Sequence, residues 1–80
     1  MKTMRAVTER FAEICAKRGI KPNELANSAG VTPSTVYSML DASRSDVRIT
    51  TIKKLCDGLG ITLAQFFDTE AFNSLEQEIE

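Results

Sequence analysis

The chain's two prolines, Pro22 and Pro33, with Gly30 between them, constrain its middle more tightly than any other feature of the sequence. Proline has no amide hydrogen, and its ring clashes with the preceding turn. It therefore breaks a helix interior yet fits the first turn, where the amide has no partner anyway. Each proline marks a helix start, and Thr32, immediately before Pro33, suits the N-cap. Gly30 can take the left-handed conformation that closes a helix. The pattern predicts a helix over 22–28, a turn at Ala29-Gly30-Val31 and a second helix over 33–41.

The flanks are helical too. Met4, Val7, Phe11, Ile14 and Cys15 recur at steps of three and four, which predicts a helix from about Thr3 to Lys17 that stops at Gly19. Ile49, Ile52, Leu55, Cys56 and Leu59 form another stripe, closed by Gly60. Thr62 with Gln65 is a capping-box pair, and Ile61 before it can staple to Phe66, so a short helix follows over about 63–67. Ala42 to Arg48 reads as a loop. Asp68 can cap a last segment in which Phe72, Leu75 and Ile79 share one face. Sustained alternation is absent, so no strand is expected. The fold class is all-α: five helices over residues 1–67, then a short, acidic, amphipathic helical tail over 68–80.

Eighty residues make one domain, and 42% hydrophobic with 26% charged residues is ordinary for a globular protein. No apolar run approaches the length of a membrane span, and Met1 to Arg5 do not open a signal peptide. The expected compartment is the cytoplasm, with no membrane partner. Cys15 and Cys56 read as buried hydrophobes in that reducing setting. With no histidine, no metal-ligand spacing and no phosphate loop, the sequence offers no catalytic residue, metal site or cofactor site, and an enzyme is not expected.

Charge is split along the chain. Residues 1–54 hold all ten Lys and Arg against five acidic residues, a net of +5, whereas 55–80 hold six acidic residues and no basic one. Such a division suggests a basic face for a polyanion and an acidic end kept away from it.

The segment 22–41 meets a stricter test. Two helices crossing through a tight turn require apolar residues at set positions, here Leu25, Ala29, Val31, Val36 and Met39. They also require a small residue where the helices nearly touch, here Ala26, and a left-handed residue in the turn, here Gly30. All are present.

The run Asn23-Glu24-Leu25-Ala26, Ala29-Gly30-Val31-Thr32 and Ser34-Thr35-Val36 resembles the Cro/phage-repressor (Xre-type) helix-turn-helix family. The similarity continues through Ile52-Lys53-Lys54-Leu55-Cys56 and Leu59-Gly60-Ile61-Thr62-Leu63 to Phe66-Phe67. It implies a lambda-repressor-like five-helix bundle, double-stranded DNA as ligand, and a homodimer. Residue by residue, it implies that Thr32, Pro33, Ser34, Tyr37 and Ser38 approach the bases and that Thr35 holds a phosphate. The loop residues Arg44, Ser45 and Arg48 stand where relatives contact the DNA backbone. Many relatives start the first motif helix with a capping Ser and a phosphate-gripping Gln. Here Lys21 and Pro22 stand there, and Lys21 or Asn23 is left to reach phosphate. Relatives also carry a buried Arg–Glu pair joining the first helix to the end of the third; the matching residues here are Cys15 and Leu40, both apolar.

The expected function is a sequence-specific transcriptional regulator, a repressor, reading the major groove with helix 33–41. Dimer contacts are expected from Phe66, Phe72, Leu75 and Ile79. One alternative is an antitoxin-like operator binder whose acidic tail also binds a protein partner. Another is a protein-interaction module that has lost DNA binding.

Overall fold

Gly30 adopts φ +69°, the left-handed conformation expected of it, and its amide donates back to Asn27 O while that of Val31 donates to Ala26 O at 3.1 Å. This closes one helix and leads directly into the next. In the computed structural model, which describes residues 1–41, 43 and 46–79, the chain forms α1 (Thr3–Arg18), α2 (Pro22–Ala29), α3 (Pro33–Met39), α4 (Ile49–Leu59), α5 (Leu63–Phe67) and α6 (Glu70–Asn73). No strand occurs among the described residues, and no helix there is long and apolar enough to cross a membrane.

The apolar stripes become one core. Met4, Val7, Phe11, Ile14 and Cys15 of α1 meet Leu25 and Ala26 of α2, Val36 and Met39 of α3, and Ile52, Leu55, Cys56 and Leu59 of α4. Both cysteines are free and buried, and burial pushes both thiols up from their ordinary range. The tightest approach is between α2 and α4, where Gly58 lies against the main chain of Ala29.

The capping box of α5 forms in both directions. The Gln65 amide donates to Thr62 Oγ1 at 3.0 Å, and the Thr62 amide donates to Gln65 Oε1 at 2.9 Å. It turns Phe66 inward onto Phe11, ring centroids 4.4 Å apart, and Phe67 and Phe72 extend the aromatic cluster. Phe66 is therefore 0% exposed. Its expected part in a dimer contact gives way to the chain's own core.

The end of α3 and the tail differ most from expectation. α3 ends at Met39, with Leu40 as its C-cap, two residues short of the expected 41. The tail helix is confined to 70–73 and its N-cap is Thr69, not Asp68. Beyond Ser74 the chain leaves helical geometry and returns to the start of α1. The Glu76 amide donates to Met1 O at 3.2 Å, its carboxylate pairs with the Met1 ammonium, and Glu78 Oε2 accepts from the Thr3 amide at 3.1 Å. α1 needs such acceptors, because Lys2 gives it no side-chain cap and its first turn holds no acid. A polar link between α1 and the end of α3 is the Thr8 hydroxyl on Met39 O, while Cys15 lies in the apolar core and Leu40 packs against it.

Candidate nucleic-acid interface

α2, the Gly30 turn and α3 form the helix-turn-helix. The α3 stripe Val36 and Met39 is buried, so the opposite face is presented outward. Thr32, Pro33 and Ser34 are exposed, Tyr37 is 56% exposed, and Thr35 and Ser38 are half-buried. Thr32 occupies the N-cap position in extended conformation, but its hydroxyl makes no backbone cap. It bonds the hydroxyls of Ser34 and Thr35, each at 3.0 Å, so the three form a small hydroxyl cluster at the start of α3.

Thr35 and Ser38 line a groove whose other wall is the start of α4. Arg48, the α4 N-cap residue, and Thr51 stand there, with Met4 of α1 and Met39, Asp46 and Val47 completing it. The structure thus brings three of the expected site residues, Thr35, Ser38 and Arg48, to one place. Thr51 was not expected. Its signal was its place one turn after Arg48, whose carbonyl accepts the Thr51 amide at 3.0 Å. Arg44 and Ser45 lie outside the described residues.

Lys21 and Asn23 are exposed at the start of α2. The Lys21 amide, which could hold an anion, already donates to Glu24 Oε1 at 3.1 Å. Pro22 has no amide to offer, so this helix end reaches phosphate only through the Lys21 and Asn23 side chains.

The basic residues of α1 are mostly engaged. Arg10 donates to the carbonyls of Phe66 at 2.8 Å and Gln65 at 3.0 Å, the C-terminal end of α5, and pairs with Glu13 at 2.8 Å. Arg18 donates to the carbonyl of Leu59, the last residue of α4. Both satisfy carbonyls that a helix end leaves without a partner. Arg5 pairs with Glu9, Lys17 with Glu13 and Lys53 with Asp57. Among the described residues, the lysines Lys2, Lys21 and Lys54 and the loop-end Arg48 enter no ion pair; the charge of Lys2 acts on Glu76 and Glu78, and Lys21, Arg48 and Lys54 remain available to a polyanion.

Known proteins share this arrangement. The crystal structure of the prophage Lp1 protein 11 superposes with a TM-score of 0.77 at 36% sequence identity, covering 94% of this chain and 100% of that one. No curated protein shows a significant match. Residues 10–71 match the Cro/C1-type HTH DNA-binding domain, a span that includes both motif helices, the Gly30 turn and the α4 and α5 that support them. The chain belongs to the Cro/C1-type helix-turn-helix DNA-binding domain family.

Proposed function

We propose that this chain is a sequence-specific regulator of transcription that acts in the cytoplasm as a repressor, occupying operator DNA with α3 in the major groove. The observation that carries the reading is the outer face of α3. Its inner residues Val36 and Met39 are buried, while Thr32, Pro33, Ser34 and Tyr37 are exposed and Ser38 half-buried, and this reading gives those five to the bases. Thr35, Arg48 and Thr51 flank that face along one groove and take the phosphates, and this reading gives further phosphate contacts to Lys21, Asn23, Arg44 and Ser45.

α3 carries no Arg, Asn or Gln, the side chains that make bidentate base contacts. Direct readout therefore rests on hydroxyls and on the Tyr37 ring against thymine methyls. Affinity of an operator grade then comes from two copies on a two-fold site, which doubles the groove contacts. With Phe66 inside the core and Phe72 packed against it, Leu75 and Ile79 are the tail residues left for contact between copies. An antitoxin-like role would give the acidic tail to a protein partner. Glu76 and Glu78 are already engaged on the start of α1, which favours the plain regulator.

Selection of bound sequences from a random double-stranded DNA library tests the proposal. The expected result is an enriched motif built of two related half-sites. Equal recovery of all sequences at low salt, or no binding, would overturn it.

A further inference from the structure

Among the described residues Thr8 is the polar side chain buried in the core, on a face of α1 whose other members, Met4, Phe11 and Cys15, are apolar. Its hydroxyl donates to the main-chain carbonyl of Met39 at 3.0 Å. Met39 closes α3, so no amide of that helix reaches this carbonyl, and a carbonyl in such a buried place needs a donor.

The bond joins a fixed helix to a short one. α1 is fastened to the rest of the domain by Arg10 on the end of α5 and by Arg18 on the end of α4. α3 has only seven residues, and its leading end is set by the Gly30 turn. At its trailing end the Met39 side chain is buried, but methionine is flexible and adapts to many packings. With Val36, such contact settles which face of α3 lies inward, but at the Met39 end it leaves the finer roll of the helix loose. A hydrogen bond fixes that roll, because it depends on direction as well as distance.

We propose that Thr8 is a positioning residue for base readout, its hydroxyl fixing the roll of α3 and so the aim of Tyr37 and Ser38, which immediately precede Met39. The inference rests on the reading that α3 enters the major groove. It assigns specificity to a residue on the far side of α3 from the DNA.

The test uses the full chain and the site recovered from the DNA library. Thr8→Val keeps the shape and removes the donor; Thr8→Ser keeps the donor. The ratio of affinity for the selected site to affinity for scrambled DNA should fall about fivefold in Thr8→Val, the factor one ordinary hydrogen bond is worth. Affinity for scrambled DNA should hold, and Thr8→Ser should retain the wild-type ratio. If Val at this position prevents folding, Thr8→Cys, similar in size and a weak donor, carries the same comparison. A Val or Cys variant that loses thermal stability but keeps the full ratio would overturn the positioning role and leave the reading of α3 intact. A wild-type chain that prefers no sequence would overturn both.

Discussion

Gly58 lies within α4, where glycine costs roughly 0.5–1 kcal/mol relative to alanine. Its reason is on the neighbouring helix. A Cβ at 58 would stand 2.8 Å from the amide nitrogen of Ala29 and 2.9 Å from its Cα, and main chain cannot swing aside as a side-chain end can. Gly58→Ala, which should strengthen an isolated helix, is therefore expected to destabilise the domain by about 1–3 kcal/mol. Urea unfolding should show a lower midpoint at an unchanged slope; a raised midpoint would mean that α2 and α4 have room to spare. Nothing in the sequence marks this glycine, because the stripe Ile52, Leu55, Cys56 and Leu59 runs past it unbroken. Thr8, Arg10 and Arg18 were equally silent. Their partners are main-chain carbonyls of Met39, Phe66, Gln65 and Leu59, and a carbonyl carries no residue identity that a sequence could display.

At the scale of elements, the helix-turn-helix was readable because its constraints are local. Pro22, Gly30, Thr32 and Pro33 each dictate the conformation of their own position, and α2 and the α3 start fall where they require. The tail was misread because its stripe is local evidence for an element that tertiary contacts decide. Phe72, Leu75 and Ile79 fit one helical face, yet a helix of that length is marginal alone. Phe72 is drawn into the aromatic cluster, Ser74 ends α6, Glu78 accepts from the first amide of α1, and Glu76 pairs with the Met1 ammonium just before it. The Met1 ammonium, first by its hydrogen bond and then by its charge, holds the Glu76 carboxyl below its ordinary range. Hydrogen bonds from Thr3, with the charge of Lys2, do the same for Glu78. A depressed carboxyl contributes stability that is fully present above its unfolded value, here 4.5, and is lost as pH falls through the lower folded value. Thermal stability should then decline in acid below about pH 4.5, and less steeply in a Glu76→Gln, Glu78→Gln double variant. Identical acid profiles for the two proteins would show that the tail carboxylates do not hold α1.

For the whole molecule, the charge split exaggerates the surface open to DNA. Residues 1–54 carry +5, but the partners of Arg5, Arg10, Lys17, Arg18 and Lys53 are within the chain. Lys2 acts on the tail carboxylates Glu76 and Glu78, which leaves Lys21, Arg48 and Lys54 among the described residues to displace counterions, and Arg44 adds a fourth if it contacts phosphate as the family resemblance implies. Each neutralised phosphate changes the slope of log K against log salt by about −0.9, so one bound chain should give roughly −3 to −4 and a pair roughly twice that. Arg48→Ala should flatten the slope by about 1 for a single chain and about 2 for a pair, with little change in sequence preference. Ile79 adds a second handle, because it is 87% exposed and its replacement should leave the fold undisturbed. If the tail joins two copies, Ile79→Glu should bring the slope back to the single-chain value while leaving thermal stability unchanged. Titration on the selected operator across a salt series reads all three proteins, and sedimentation of the complexes counts the chains directly. A wild-type slope near −3 with one chain per operator would sink the paired arrangement and leave α3 to recognise its site alone.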